Sequence, residues 1–140
     1  MKKISTQEFE EILKIDKESF SYNYDQERMK EALKYYQCLK IKSKDKVASF
    51  LLYKFEIGKI FIRRIAVSPK FRRKGFGQKM VEMIFQKARK RKLSTIYAFS
   101  RVSNVKGIEF FKKMGFQVKN RIEKYYPPND ESAFILEKKL

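Results

Sequence analysis

The stretch FRRKGFGQKM, residues 71–80, places two glycines one residue apart behind three consecutive cations, and an apolar pattern with helical spacing follows it. Inside a helix each glycine costs about 1 kcal/mol relative to alanine, so Gly75 and Gly77 need a compensating role. The run IFIRRIAV before the stretch reads as a buried strand, and Pro69 ends that strand by Ser68. A strand, a basic loop, Gly-x-Gly and a helix in this order favour a phosphate-binding turn, because unpaired N–H groups at a helix N-terminus attract anions. A basic turn with close helix packing is the alternative.

Two better-known phosphate motifs are excluded. The chain has no G-x-x-x-x-G-K-[ST] sequence, so residues 71–80 are not a P-loop. They are not a dinucleotide-binding fingerprint either, because Met80 stands where the third glycine would be.

Hydrophobic periodicity predicts four helices and six strands in the order ααβββαβαββ, which is a mixed α/β sheet flanked by helices. Helical spacing covers 5–20, 24–36, 75–92 and 104–115, with Ser5 or Thr6 as the first N-cap and Asn104 as the last. Strand patterns cover 38–43, 46–67 (two strands joined at 56–58), 94–101, 116–126 and 133–140.

The composition is that of one globular domain, residues 1–140. Of the 140 residues, 43% are hydrophobic, and no apolar run approaches the length of a membrane span. The chain has no histidine and a single cysteine, Cys38, so we expect no metal site and no intrachain disulfide. We expect a cytoplasmic protein.

The net charge of +18 is unevenly distributed. Residues 63–92 carry 12 Lys or Arg against one acidic residue, Glu82. A concentrated positive field attracts anions such as cofactor phosphates, nucleic acid or acidic protein. A lysine-rich compositional bias, with the charges on a solvated face, is the alternative for the excess as a whole.

Residues 72–77, RRKGFG, fit the R/Q-x-x-G-x-G/A signature of the GNAT family of N-acetyltransferases. The stretch SNVKGIEFFKKMGF, residues 103–116, resembles the family's S-N-x-x-A-x-x-F-Y-x-K-x-G-F. The segments IDKESF near the N-terminus and RIEKYYPPNDESAFILEKKL at the C-terminus resemble the RimI-type branch, which contains ribosomal-protein alanine and related protein N-terminal acetyltransferases. The chain is therefore identified as a member of this family over essentially its whole length. The resemblance implies antiparallel N-terminal strands and a splayed parallel pair at the centre of the sheet.

The resemblance implies acetyl-CoA as the cofactor. The pyrophosphate would lie on the backbone N–H groups of residues 72–77, and the pantetheine arm would pair with the edge of residues 65–67. Asn104 matches a family asparagine that contacts cofactor or substrate, although it could also be a plain N-cap. The implied cofactor-binding residues are Ile65, Ala66, Val67, Arg72, Arg73, Lys74, Gly75, Phe76, Gly77 and Asn104.

The family's usual proton-transfer groups are missing. Acetyl transfer needs an amine that loses a proton and a leaving thiolate that regains one. RimI-type enzymes carry a Glu base in the family's fifth strand and a Tyr acid in the helix that follows, where this chain has Phe99 and Phe111. Some relatives use a Tyr in the fourth strand instead, and the matching residue in this chain is Phe61.

Two interpretations follow. Either the enzyme relies on proximity and accepts an amine that is already partly neutral, such as a protein N-terminus, or the fold has lost catalysis and binds acyl-CoA or nucleic acid. A lysine or small-molecule amine acetyltransferase is the enzymatic alternative. The partners that we expect are acetyl-CoA, a protein or peptide N-terminus, and a ribosome or another anionic partner on the basic 63–92 face.

Replacement proton groups could come from KYYP, residues 124–127. Tyr125 and Tyr126 match a tyrosine pair in a hairpin that relatives lay over the substrate peptide, so we expect both to be catalytic and substrate-binding residues; core packing of one of them is the alternative. Phe20 and Tyr24 occupy the stretch that borders the substrate groove in relatives and are further substrate-side candidates. Glu109 falls off the apolar stripe of its helix and should face solvent.

Overall fold

The computed structural model describes residues 4–140, and the predicted element order is confirmed over this range. The α-helices are α1 Thr6–Ser19, α2 Gln26–Tyr35, α3 Phe76–Lys90 and α4 Val105–Lys113. The strands are β1 Gln37–Ser43, β2 Lys46–Glu56, β3 Lys59–Val67, β4 Thr95–Arg101, β5 Gln117–Tyr126 and β6 Glu131–Lys139. A short 3-10 turn at Pro69–Phe71 follows β3.

Side chains predicted to bound the helices do so. Ser5 caps α1 in a capping box, in which its hydroxyl accepts from the Glu8 N–H and the Glu8 carboxylate accepts from the Ser5 N–H. Asn104 caps α4 by accepting from the Gly107 N–H at 3.1 Å. Gly115 follows the α4 cap with a φ of +96°, a conformation that glycine adopts without steric cost.

The strands form one six-stranded mixed sheet in the order β1-β2-β3-β4-β6-β5. β3 and β4 pair in parallel from Lys59–Thr95 to Ile62–Ala98, and β6 pairs antiparallel with both β4 and β5. β1 and β2 form an antiparallel pair. The predicted mixed sheet, with antiparallel N-terminal strands and a parallel central pair, is confirmed.

The chain divides into two compact units, each with its own core. The first unit contains the residues up to Tyr53 together with Arg64–Glu82, and its buried side chains include Ile12, Met29 and Phe50. The second unit contains Lys54–Arg63 and Met83–Leu140. Its buried side chains include Ile60, Ile84, Ile96, Phe116 and Leu136.

The lone thiol is held inside the first unit. Cys38 on β1 packs against the apolar cluster under α1 and α2, and its thiol donates to the Leu39 carbonyl oxygen at 3.5 Å. Burial raises the pKa of this thiol to about 12.

Two kinds of feature are absent from residues 4–140. No helix in this range has the length and apolar character needed to cross a membrane. Nor do three or more potential metal-binding side chains come together there.

Candidate active site

The loop between β3 and α3 belongs to the first unit and is fixed by hydrogen bonds at its first residue and at Arg72. The Ser68 N–H donates to the Ala48 carbonyl oxygen at 2.8 Å. The Arg72 side chain donates through Nε to the Val67 carbonyl oxygen at 3.1 Å and through Nη2 to the Ser19 hydroxyl at 3.2 Å. Arg72 therefore holds the basic loop against the end of β3 and against α1.

The turn into α3 has the geometry of an anion-binding helix N-terminus. Gly75 is exposed, has a φ of +80°, and has no heavy atom within 4 Å of the place where a Cβ would stand. The first helical hydrogen bond runs from the Lys79 N–H to the Gly75 carbonyl oxygen, so the N–H groups of Phe76 and Gly77 precede the helical ladder. Arg73 and Lys74 are exposed beside them. These residues fit a phosphate group, which is the chemistry that the sequence predicts for this turn.

The predicted pantetheine-binding residues form the last part of β3. Ala66 is buried in the core of the first unit, whereas Ile65 and Val67 are half-buried. Their contact with a cofactor stays a prediction.

Phe20 and Tyr24 hold a buried ion pair that the sequence did not predict. The Arg64 guanidinium lies 3.9 Å from the centre of each of the two rings. It donates to both carboxylate oxygens of the fully buried Asp16, at 2.6 and 3.0 Å, and the Tyr24 N–H donates to the same carboxylate at 2.7 Å. Tyr24 is only 3% exposed, so the ion pair fixes the segment between α1 and α2 in place. A substrate role for the two aromatic residues stays a prediction.

The second unit carries a row of contacting aromatic rings, which we call the aromatic row and which consists of Phe61, Tyr97, Phe99, Tyr125 and Tyr126. Phe61 and Phe99 meet edge to face with centroids 5.7 Å apart, and the Tyr97 ring lies 4.9 Å from Phe61 and 6.1 Å from Phe99. The structure thus has packed hydrocarbon rings at two positions where relatives carry polar groups. Phe99 stands at the position of the family's base, and Phe61 stands at the position of the tyrosine that some relatives use.

Both predicted catalytic tyrosines belong to this row. The Tyr125 ring lies 5.2 Å from Phe99, and Tyr125 is 45% exposed. The Tyr126 ring lies 4.9 Å from Tyr125, is half-buried, and has the Arg101 guanidinium 4.3 Å from its centre. Of the two tyrosines, Tyr125 is therefore the one whose ring contacts Phe99, the residue at the position of the family's base.

Arg101 fixes the turn between β5 and β6 that carries the tyrosines. Its guanidinium donates to Glu131 Oε1 at 3.1 Å and to the Pro127 carbonyl oxygen at 2.9 Å. The other Glu131 oxygen accepts from the Ser103 N–H at 2.8 Å. Hydrogen bonding from Ser103 and the neighbouring Arg101 charge lower the pKa of Glu131, so this carboxylate is ionised at neutral pH.

One polar group in the aromatic row was missed by the sequence analysis. The Tyr97 hydroxyl donates to Glu56 Oε1 at 2.6 Å, and Lys54 forms an ion pair with Glu56 at 3.4 Å. Strand alternation could have found this group, because Tyr97 and Phe99 are two residues apart on β4 and therefore share a face of the sheet.

The remaining predicted positions lie on or near α4. Phe111 is 6% exposed and packs edge to face with Phe116 at 4.9 Å, so the position of the family's acid is part of the core. Glu109 is exposed, as predicted. Asn104 acts as an N-cap, and its amide nitrogen would lie 2.5 Å from a Cβ at Gly107, which explains the glycine there.

Residues 9–116 match the model of the acetyltransferase (GNAT) family. The [ribosomal protein bS18]-alanine N-acetyltransferase of Escherichia coli (strain K12) is 29% identical over 93 residues, which are 65% of this chain and 63% of that protein. The matched region thus spans less than two thirds of this relative's length.

Two solved structures share the fold. Ard1 from Thermoplasma volcanium superposes with a TM-score of 0.88 at 20% identity, covering 99% of this chain and 95% of that one. Arabidopsis thaliana Naa50, in complex with the bisubstrate analogue CoA-Ac-MVNAL, superposes with a TM-score of 0.79 at 17% identity, covering 99% and 97% of the two chains.

Proposed function

Because the chain belongs to the acetyltransferase (GNAT) family, we propose that it transfers the acetyl group of acetyl-CoA to the α-amino group of a protein N-terminus. The observation that carries this proposal is the basic loop that ends in the exposed, positive-φ Gly75 at the start of α3. Two similar proteins support the class of acceptor, since one is a [ribosomal protein bS18]-alanine N-acetyltransferase and the other binds the bisubstrate analogue CoA-Ac-MVNAL.

The chain's own residues would hold the cofactor by its phosphates. The N–H groups of Phe76 and Gly77 precede the first helical hydrogen bond of α3, and the exposed Arg73 and Lys74 add mobile positive charge. Gly75 leaves open the space that a side chain would occupy. The pantetheine arm is proposed to pair with Ile65–Val67. When bound, acetyl-CoA supplies the thioester that the acceptor amine attacks.

The absence of a base at Phe61 and Phe99 favours an acceptor that is already partly neutral. An α-amino group with a pKa of about 8 is roughly one tenth deprotonated at pH 7, whereas a lysine with a pKa of about 10.4 is deprotonated to about 0.04%. Proximity alone can lower the barrier by about 7–11 kcal/mol in well-oriented systems. N-termini are therefore the acceptors that this apolar site can use with the least help.

Tyr125 and Tyr126 are proposed to handle the proton and to contact the peptide. Tyr125 is the stronger candidate, since it is exposed and its ring contacts Phe99. Tyr126 is held by Arg101 and is better placed to support its neighbour. Asn104 is proposed to contact cofactor or substrate in addition to capping α4, and Phe20 and Tyr24 to border the acceptor.

Two further features are proposed with this function. An anionic partner, such as a ribosome, would meet part of the basic region 63–92. A cytoplasmic location is compatible with the single, buried thiol of Cys38.

The main alternative is a binding protein without catalysis, which the three phenylalanines at the usual proton-transfer positions favour. The test is a turnover assay with acetyl-CoA in which the release of free CoA thiol is measured. The acceptors are short peptides that begin with Ala, Ser or Met and an N-terminally blocked peptide that contains lysine. Activity confined to free N-termini supports the proposal. Acetyl-CoA binding without turnover on any amine would overturn it in favour of the binding protein, and preference for the blocked peptide would indicate a lysine acetyltransferase.

A further inference from the structure

The cations of region 63–92 fall into two groups in the structure. Arg64 and Arg72 form hydrogen bonds within the first unit, Arg64 with Asp16 and Arg72 with Val67 and Ser19. By contrast, residues 89–92 (RKRK), at the end of α3 and in the turn that follows, are all exposed. None of the ion pairs found within residues 4–140 includes any of these four.

Cations from two strands lie beside this turn. In the sheet register Lys59 of β3 and Lys139 of β6 flank Thr95, the first residue of β4, and Lys139 donates to the Thr95 hydroxyl at 2.9 Å. Neighbouring strands are about 4.8 Å apart, so the backbones of Lys59 and Lys139 are about 10 Å apart. They lie on the two sides of β4, which begins three residues after Lys92. The Arg91 guanidinium lies 3.6 Å from the centre of the Phe55 ring on β2. We call Lys59, Lys90, Arg91, Lys92 and Lys139 the basic end.

The positive charge continues around the last turn of α3. Arg89 and Lys138 both lie over the Phe85 ring, at 6.0 and 5.3 Å from its centre. Between Glu82 and Glu109 the sequence contains no acidic residue. Glu137 pairs with Lys139 of the basic end at 3.7 Å, and Glu56 at the end of β2 pairs with Lys54 and accepts from Tyr97, so neither carboxylate forms an ion pair with residues 89–92.

The α3 macrodipole explains part of this pattern but not all of it. Cations in the last turn of a helix are favoured by the negative end of the dipole, which accounts for Arg89 and Lys90. It does not account for Lys59 and Lys139, which belong to β3 and β6. Cations that come from a helix end, a turn and two strands and converge on one end of the unit suggest a surface shaped for a polyanion.

We propose that the basic end binds the phosphate backbone of a nucleic acid. Phosphate contacts alone can supply most of the affinity of such binding, whereas a protein partner usually needs an apolar contact area. Among the large apolar side chains that are exposed within residues 4–140, only Ile57 and Leu140 belong to the segments next to the basic end. The proposal is independent of acetyl transfer, because Lys59 opens β3 whereas the loop proposed to hold acetyl-CoA follows the last residue of that strand.

The test is fluorescence anisotropy of labelled 20-nucleotide RNA and DNA, single-stranded and duplex, titrated with the full chain between 50 and 200 mM salt. The test variant carries Lys59→Gln, Lys90→Gln, Arg91→Gln and Lys92→Gln. A matched control removes four exposed charges from the first unit through Lys14→Gln, Lys17→Gln, Lys34→Gln and Lys46→Gln. A third variant keeps the charge with Lys59→Arg, Lys90→Arg and Lys92→Arg. Thermal unfolding followed by circular dichroism checks the fold of each variant.

The test variant is expected to bind at least tenfold more weakly than the parent at 100 mM salt, while the matched control stays within about twofold and the arginine variant binds like the parent. The slope of log affinity against log salt on single strands should fall by about three units if four phosphate contacts are lost. Comparison of the four probes shows whether RNA or DNA is preferred. Equal losses in the test variant and the matched control would overturn the proposal, as would displacement of the RNA by poly-glutamate of equal charge. Acetyl transfer to short peptides should be unchanged in the test variant, so failure here and failure of the proposed enzyme are distinguishable.

Discussion

The rings of Phe61 on β3 and Phe99 on β4 meet edge to face, with centroids 5.7 Å apart and planes at 74°. Neither side chain can accept a proton, so the ionisation of the acceptor should control the rate. We expect kcat/KM for a peptide with a free N-terminus to rise about tenfold per pH unit from pH 6 and to level off near pH 8, the pKa of an α-amino group. Thiol release measured from pH 6 to 9.5 gives the profile.

An inflection near pH 6 would contradict this expectation, because it would indicate an enzyme base. The Phe99→Glu variant is a positive control. A carboxylate at this position can take up the amine proton, so its profile should extend to lower pH.

The contact between Tyr125 and Phe99 predicts unequal effects of two hydroxyl deletions. We expect Tyr125→Phe to lower kcat about 10- to 100-fold with little change in KM, because general acid–base groups contribute on this scale. Tyr126→Phe should have a smaller effect, since its ring is held under Arg101 and phenylalanine keeps that packing. Steady-state kinetics decide, with Tyr35→Phe on the exposed end of α2 as the control. Equal, small effects of all three variants would remove the tyrosines from the mechanism.

Gly58 provides a control for the proposed cofactor role of Gly75, because both glycines have a positive φ. Gly75 has a φ of +80° and Gly58, in the turn between β2 and β3, a φ of +75°, and both have open space where a Cβ would stand. Alanine at either position should cost about 1–2 kcal/mol of stability, because the left-handed conformation is unfavourable for residues with a Cβ. Only Gly75→Ala should also weaken binding of CoA, by about tenfold or more in isothermal titration. Equal CoA affinity in the two variants would argue against the phosphate turn.

The buried Asp16–Arg64 pair should be costly to break from one side. Asp16→Ala leaves the Arg64 guanidinium without its carboxylate next to two rings, and we expect a loss of about 3–5 kcal/mol in urea unfolding. The double variant Asp16→Leu, Arg64→Met should recover much of this loss, because an apolar pair of similar size has no buried charge to satisfy. A double variant as unstable as Asp16→Ala would show that the pair itself stabilises the fold.

Glu8 should give the protein a stability that disappears in acid. Hydrogen bonding from Lys40, then from the Ser5 N–H, lowers the pKa of Glu8 to about 2 from its usual 4.5. A folded-state pKa below the unfolded one stabilises the protein above about pH 4.5, and this contribution is lost as pH falls from 4.5 towards 2. Glu8→Gln keeps the capping hydrogen bonds but removes the charge that pairs with Lys40, so it should lower the melting temperature at pH 7, and the difference from the parent should shrink towards pH 2. A constant difference across this range would mean that the charge of Glu8 is not what stabilises α1.

Sequence reasoning could predict the elements of this fold because each carries a local signal. Apolar spacing marked α3, the Ser5–Glu8 pair marked the start of α1, and Asn104 marked the start of α4. These signals lie within a few residues of the feature that they predict.

What could not be predicted depends on residues far apart in the chain. Asp16 and Arg64 are 48 positions apart, and nothing in either neighbourhood indicates the other. Tyr97 on β4 and Glu56 at the end of β2 are 41 positions apart, and they meet only because β2, β3 and β4 are neighbours in the folded sheet. For the same reason, the separation of region 63–92 into internally bonded and exposed cations could not be seen from the count of charges.

The partly buried thiol of Cys38 makes the proposed acetyl transfer convenient to assay. With a pKa of about 12, at pH 8 only about one molecule in ten thousand carries the reactive thiolate. An aromatic disulfide reagent that turns yellow on meeting free CoA can therefore stay in the cuvette throughout the reaction, with almost no background colour from the protein. The same reagent added with denaturant should then release one equivalent of colour per chain, which reports the total protein concentration in the same sample.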